Sequence, residues 1–358
     1  MLARRYDIHF YFFSGGTAWY WPREHGVHRG RFRGEDLSGF SIGQTRITPA
    51  LPWKLLRGDY DLYIKCINGR FALPVTFLVA RLRHRPFILW TGIWDRLGTP
   101  VQRLMFPLTR AIYRGSDAIV VYGEHVRRYL IGEGVKAERI FVASHATDNR
   151  FYGKRIATTA KQALRRRLGL KRGQKIVLYV GRLEPSKGVE YLMQAFADLG
   201  RLDTTLLIVG SGSGRQALEG IAKRRGISGR VRFVGYVPIE SVPLYHALAS
   251  VLVLPSITTP AGKEPWGLVV NEAFNQGVPV VATRAVGAAA GGLLIDRVNG
   301  LVVPEGDRTA LAGALGTILG SPQLRKKWGR SARKTVGSWD YLHNVQGYES
   351  AIEFVKER

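Results

Sequence analysis

One cysteine, Cys66, occurs in 358 residues, which rules out an internal disulfide and fits a reducing compartment. Its neighbours Ile64 and Ile67 suggest a buried strand thiol more than a nucleophile. Acidic residues are scarce as well. The 27 Asp and Glu face 53 Lys and Arg, a formal net charge of +26 spread over both halves of the chain. A field of that sign attracts polyanions, whether nucleic acid, an anionic bilayer or phosphorylated small molecules, and composition does not choose among them. Long apolar runs are missing too. Nothing reaches the ~18 to 20 apolar residues of a membrane span, and the nearest approach, Phe71 to Leu82, is broken by Pro74 and Arg81. Met1 to Asp7 has neither a long apolar run nor a small-residue cleavage site, so no signal peptide is expected. No His, Cys and carboxylate cluster has zinc spacing, and neither a Gly-x-Ser-x-Gly elbow nor a Walker loop occurs. Catalysis should then depend on positioning and electrostatics rather than on a metal or a covalent nucleophile.

What is present is alternation. Short β-branched and aromatic runs, such as Phe87 to Trp90, Ala118 to Tyr122, Ile176 to Val180, Leu206 to Val209 and Val251 to Leu254, are separated by helical patterns along the whole chain. Continuous apolar strands between helices argue for parallel sheets covered on both faces. A basic helical pattern from Thr158 to Leu168, ending at Gly169 to Gly173, separates two such series. The expected organisation is an α/β chain of two Rossmann-like domains, 1–157 and 158–338, facing a central cleft. The last helix, Trp339 to Lys356 within 339–358, is expected to pack back toward the first domain. That first domain reads as if it starts late: Ile8 to Phe13 is preceded by what looks like a helix tail and a turn. Either the true start lies upstream or the domain lacks its opening strand. Gly15 to Gly34 is glycine-punctuated, aromatic and basic, suited to a lipid headgroup boundary or a nucleic-acid strand, and equally to an ordered surface loop.

Three stretches could carry chemistry. After the strand Ile176 to Val180 come Gly181, Arg182 and Lys187, then Gly188 at a helix start. A glycine for close approach and two cations at a strand-to-helix turn are what a diphosphate needs, although two exposed loop charges would read the same. The strand Leu206 to Val209 enters Gly210-Ser-Gly-Ser-Gly214, whose spacing departs from a dinucleotide fingerprint; no acidic residue follows the next strand, so this reads as a tight turn near the ligand. Finally, Glu264 and Glu272 lie eight residues apart around Gly267. Helical spacing from Leu268 to Phe274 places Glu272 in a helix and Glu264 before its first turn, whose N–H groups near Gly267 and Leu268 attract an anion. Alone, the pair also fits a surface helix with one capping and one solvated glutamate.

Taken together, Gly181-Arg-Leu-x3-Lys-Gly188, the Gly210 turn, Phe233-Val-Gly-Tyr-Val237, Leu254-Pro-Ser256 and Glu264-x7-Glu272 with Gly277-Val-Pro-Val-Val-Ala-Thr283 resemble the retaining glycosyltransferases of family 4, which have the GT-B fold. Order and spacing match across roughly residues 171 to 310; the first domain resembles the family more loosely. The resemblance implies that Arg182 and Lys187 bind the donor diphosphate and stabilise the departing nucleoside diphosphate. It implies that Glu264 holds sugar hydroxyls, that amides at Gly267 and Leu268 assist, that Glu272 holds the ribose, and that backbone at Tyr236 and Val237 is near the base. The activity implied is metal-independent, retaining transfer of a hexose from a UDP- or GDP-sugar to a polysaccharide or lipid-linked acceptor, with no other cofactor. Together with the charge and the Trp19 to Arg33 stretch, it suggests a cytoplasmic enzyme, peripheral at an anionic inner membrane face. One departure stands out. Many family members carry a His after the strand matching Phe87 to Trp90, where this chain reads Trp90-Thr-Gly-Ile-Trp-Asp95, leaving Thr91, Trp94 and Asp95 as candidates for that place. Ile257 to Lys263 is a candidate mobile or donor-selecting loop. A sugar-nucleotide epimerase, a phosphorylase and a basic nucleic-acid-binding protein are the rival readings.

Overall fold

A computed structural model describes residues 2–13, 33–43, 45–96 and 98–357. The glycine-rich, aromatic stretch discussed above falls mostly on 15–32, outside the described residues. The chain opens with β1 (His9–Phe12) and β2 (Arg33–Asp36), a parallel pair, and an antiparallel pair, β3 (Phe40–Ile42) and β4 (Thr45–Ile47). The strands β5 (Tyr63–Cys66), β6 (Phe87–Thr91), β7 (Ala118–Val121) and β8 (Ile140–Val142) then form a parallel sheet in chain order. A second parallel sheet contains β9 (Lys175–Val180), β10 (Thr204–Val209), β11 (Val231–Gly235), β12 (Val251–Leu254), β13 (Val280–Thr283) and β14 (Gly300–Val303), ordered β11-β10-β9-β12-β13-β14.

The apolar runs form strands because both of their faces are covered. In β10, β12 and β13 every residue is buried, and the two-residue period of a strand divides them between two cores. Val177, Tyr179, Leu206, Ile208 and Val253 pack on one face with Leu192, Phe196, Leu315 and Ile318 from the helices Val189–Asp198 and Arg308–Gly320. Leu178, Leu207, Leu252 and Val280 face the other way, onto Tyr245, Val270 and Phe274 of the helices Val242–Leu248 and Val269–Asn275.

The first sheet is covered by its own helices on one face only, where Phe87, Leu89, Ile119 and Val121 meet Leu55, Val79, Ile112 and Val126. Its other face, Ile88, Ala118 and Val120, is closed by Ala351, Ile352 and Val355 of the last helix, Tyr341–Lys356. Gly347 allows that close approach, since a Cβ there would lie 2.4 Å from the Val142 carbonyl oxygen. Asn344 Nδ2 anchors the helix by donating to the carbonyls of Ala143 and Ser144, at 3.3 and 3.0 Å. This helix starts two residues later than its apolar pattern suggests, because Asp340 caps it, accepting the His343 N–H at 2.9 Å. The short strands β2, β3 and β4 carry no apolar run to announce them; Arg33-Gly-Glu-Asp36 pairs by backbone alone, with Arg33 bonded to Asp7 at 2.9 Å.

Candidate active site at the strand-order reversal

In the second sheet the chain passes from β9 to β10 on one side and later returns to place β12 on the other. Segments leaving the C-terminal ends of β9 and β12 therefore diverge and leave a crevice, the usual ligand position in open α/β sheets. Gly181 to Gly188 leaves β9 and Pro255 to Glu264 leaves β12. Both carry the residues singled out from sequence.

The two segments are locked together by backbone. Gly188 has φ +62°, and a Cβ there would sit 2.0 Å from the Pro255 carbonyl oxygen, so only glycine lets the turn lie on the strand exit. The Ile257 N–H donates to the Ser186 carbonyl at 3.0 Å. This contact directs Lys187, at the end of the 3₁₀ turn Pro185–Lys187, onto Glu264. Its ammonium bonds Glu264 Oε2, and the Ser256 hydroxyl donates to the same oxygen at 3.1 Å. The Lys187 and Glu264 side chains are only 17% and 12% exposed, so each charge depends on the other for solvation. Glu264 is held by its backbone as well: its N–H donates to the Ala285 carbonyl at 3.1 Å, and its own carbonyl accepts from Gly287 at 3.0 Å.

Arg182 is arranged differently. Its guanidinium meets Glu184 Oε1 at 2.7 Å and its side chain is half exposed, so the structure does not bring it into the Lys187–Glu264 cluster. Glu272 lies within the helix Val269–Asn275 and bonds the fully buried His246 at 3.1 Å from Nε2. Burial first, with the Glu272 carboxylate adding to it, holds the Tyr152 phenol well above its ordinary range. Gly267, at φ +92°, leads into the helix just above Leu254 at the end of β12; a Cβ there would meet Leu254 Cδ2 at 2.5 Å. The N–H groups at Gly267 and Leu268 have no acceptor one turn back, as at any helix start. Gly210, at φ +130°, is a spacer. Its N–H donates to the Gly235 carbonyl at 2.8 Å, and a Cβ would lie 1.9 Å from the Gly181 carbonyl oxygen. Three strand ends thus stack backbone on backbone. Tyr236 follows Gly235 half exposed, and Val237 packs into the core below.

The first sheet reaches this site through the segment after β6. The Trp94 indole N–H donates to the Glu264 carbonyl at 3.1 Å. Asp95 lies 3.5 Å from Lys263 Nζ, and the same ammonium sits 4.7 Å from the Trp94 ring centre. The Gly98 N–H donates to the Pro260 carbonyl at 2.7 Å. Thr91 is buried and engaged locally, its hydroxyl oxygen accepting the Ile93 N–H at 3.1 Å. Of the three residues proposed for the place of the missing histidine, Trp94 and Asp95 reach the Glu264 segment and Thr91 does not.

Several residues at the junction carried no local sequence signal. His125, from the helix Glu124–Gly132, packs edge-on to Trp94 at 5.2 Å between ring centres and bonds the Pro265 carbonyl through Nε2 at 3.3 Å. Burial lowers its pKa to about 4, opposed by the Pro265 hydrogen bond, so it is neutral near pH 7 and donates from Nε2. His145, also lowered to about 4 by burial, stacks on Tyr122 with ring centres 4.2 Å apart. Trp266 is fully buried and donates to Asn271 Oδ1 at 2.8 Å, and Asn271 in turn donates to the His145 carbonyl at 3.2 Å. Among the described residues, no group of three or more His, Cys, Asp or Glu is arranged to hold a metal ion, and no helix is long and apolar enough to cross a membrane.

Comparison with known proteins agrees with this architecture. Residues 160–335 match the family model for glycosyl transferases group 1. A GDP-mannose-dependent alpha-(1-6)-phosphatidylinositol monomannoside mannosyltransferase of Mycolicibacterium smegmatis is 35% identical across 85% of this chain and 81% of its own length. An alpha-D-kanosaminyltransferase of Streptomyces kanamyceticus is 31% identical across 68% of this chain, and the match spans 60% of that protein. Anabaena HepE, solved in complex with UDP, superposes with a TM-score of 0.80 at 22% identity, covering 99% of this chain and 94% of that one. The shared fold is that of the GT-B glycosyltransferases.

Proposed function

The chain belongs to the group 1 glycosyltransferase family, and on that premise we propose that it transfers a hexose from a UDP- or GDP-sugar to a polysaccharide or lipid-linked acceptor, with retention and without a metal ion. The observation that carries this reading is the meeting of Lys187, Glu264 and Ser256 at the strand-order reversal. An arriving diphosphate is a stronger partner for Lys187 than a carboxylate already shared with Ser256. As the ammonium turns to phosphate, Glu264 is released to accept hydrogen bonds from sugar hydroxyls, so donor binding replaces one ion pair by two interactions. Arg182, on the same turn, adds a second cation from the solvent side. Glu272 takes the ribose hydroxyls, the amides of Gly267 and Leu268 assist at sugar and phosphate, and the Gly210 turn with the Tyr236 and Val237 backbone borders the base.

In the reaction the bond from the anomeric carbon to the phosphate oxygen breaks and a bond to the acceptor oxygen forms on the same face. The acceptor proton passes to the departing phosphate oxygen, whose negative charge Lys187 and Arg182 stabilise. Configuration is thereby retained. Contact with an anionic inner membrane face is part of the proposal, supported by the net charge of +26 and by the helix Ala50–Arg57. There Trp53 and Leu56 are exposed beside Lys54, and the Arg57 guanidinium lies 4.2 Å from the centre of the Trp53 ring. The test is a thermal-shift panel of nucleotides and sugar nucleotides, followed by NMR of the product anomer. A donor present at a hundred times its Kd should stabilise the chain by about 2.7 kcal/mol. Absence of stabilisation by every nucleoside diphosphate, or an inverted product, refutes the reading.

A further inference from the structure

A cavity of about 320 Å³ lies in the first half of the chain, between the start of the helix Ala72–Leu82 and the helix Pro100–Gly115. Its size is that of a small-ligand pocket, and Leu73, Ile93, Met105 and Ile112 give it apolar walls. Side chains in a finished core fill such space. Its mouth is apolar on the side of the helix Pro100–Gly115, while exposed Asn68 and Arg70 border it on the other. Val101 and Leu108 line the cavity while 46% and 43% exposed, and Leu104, between them on the same helical face, is 80% exposed. An apolar cavity continuous with an apolar surface stripe is the reverse of what solvent favours.

The cavity also adjoins the transfer site. Ile93 and Asp95 line it, while Trp94, between them, donates to the Glu264 carbonyl at 3.1 Å, and Asp95 lies 3.5 Å from Lys263 Nζ. One three-residue segment thus forms a cavity wall and a contact to the residue assigned to the donor sugar. We infer that the acceptor is an amphiphile: a single alkyl or prenyl chain enters along Val101, Leu104 and Leu108 and lies in this cavity, which holds its hydroxylated head at the Ile93–Asp95 side, beside Glu264. Met105 suits such a wall, because its unbranched thioether adapts to chains of differing shape. The inference rests on the donor reading above for the word acceptor, but the apolar-chain site can be measured without it.

The probe is cis-parinaric acid, whose fluorescence rises when its chain leaves water, titrated into the full chain with UDP and GDP thermal shifts recorded in parallel. Saturable binding is expected, displaced by dodecyl glucoside below its micellar concentration and not by methyl glucoside. Met105→Trp, which fills the cavity, and Leu108→Asp, which charges its exposed mouth without touching the core, should each weaken parinarate binding by about tenfold or more and leave the nucleotide shift unchanged. No saturable binding, or equal affinity in both variants, overturns the cavity assignment even where UDP or GDP stabilises the chain. Parinarate binding lost in both variants, in a chain that no nucleoside diphosphate stabilises, supports the apolar-chain site and overturns its role as an acceptor site.

Discussion

Removing one charge from the Lys187–Glu264 pair tests both the stability argument and the functional one. The pair is neither exposed nor sealed, with side chains 17% and 12% exposed. At a separation of ~3 Å and an effective dielectric of ~20, the gross attraction is about 5 kcal/mol, most of it offset by desolvation. Exposed pairs contribute ~0–1 kcal/mol net, while breaking a fully buried pair costs ~3–5 kcal/mol. Glu264→Gln keeps an acceptor for the Ser256 hydroxyl but leaves the ammonium facing a neutral amide. Lys187→Met leaves the carboxylate with Ser256 alone. Each single change should therefore cost about 2–3 kcal/mol, placed between those two limits by its burial. The double variant should cost less than the sum by about 2 kcal/mol, because neither charge is then stranded. At ~2–4 °C per kcal/mol for a domain of this size, each single variant should melt roughly 5–10 °C early. Urea unfolding gives the cycle, and nucleotide thermal shifts on the same proteins give the functional half. Lys187→Met should weaken UDP or GDP binding by roughly 10–100-fold, the loss of one charge-assisted hydrogen bond. A coupling energy below ~0.5 kcal/mol would refute the claim that the two side chains act as a unit. Unchanged nucleotide binding in Lys187→Met would remove the lysine from the donor site.

Two further outcomes follow from the geometry. Gly188→Ala should destabilise by ~3 kcal/mol or more and abolish the nucleotide shift, since its Cβ would fall 2.0 Å from the Pro255 carbonyl oxygen. Gly169→Ala, at a similar φ of +64° with nothing within 4 Å of the added carbon, should cost only ~1 kcal/mol, and equal losses at the two sites would refute the steric account. The second outcome concerns pH. His125 and His145 have folded pKa values of about 4, below the unfolded ~6.5, so between those values the unfolded chain binds more protons. Their contribution is complete above pH ~6.5 and is lost as pH falls toward 4, at ~1.4 kcal/mol per pH unit for each histidine. Urea unfolding of His125→Phe from pH 8 to 4.5 should show that slope reduced by about one histidine's share, and an unchanged slope would mean that His125 is not held neutral in the folded chain.

The second sheet was readable from sequence because burial on both faces writes itself as apolar runs, as in β10, β12 and β13, where every residue is buried, and less clearly in the edge strand β11, which Arg232 interrupts. The short strands β2 to β4 have no such signature, since they are held by backbone pairing and bury none of their side chains fully. For the site, residue type and spacing singled out two turns that the fold brings side by side, but could not say which cation points toward Glu264. Arg182 and Lys187 share one turn and equal standing in the sequence. What separates them is the packing of Gly188 on Pro255, a tertiary contact that aims Lys187 at Glu264 and leaves Arg182 to Glu184. The partners of the two glutamates were illegible for the same reason. Ser256 shares a segment with Glu264 but no spacing rule announces their bond, while His246 lies on a different helix from Glu272, and a lone histidine among apolar helix residues looks like core until Glu272 is seen 3.1 Å away. Glycines proved the more informative residues: where a missing Cβ admits a backbone carbonyl two backbones press together, at Gly347 a helix on a strand, but at Gly188 and Gly210 two strand exits, and those two contacts flank the strand-order reversal where α/β ligands lie.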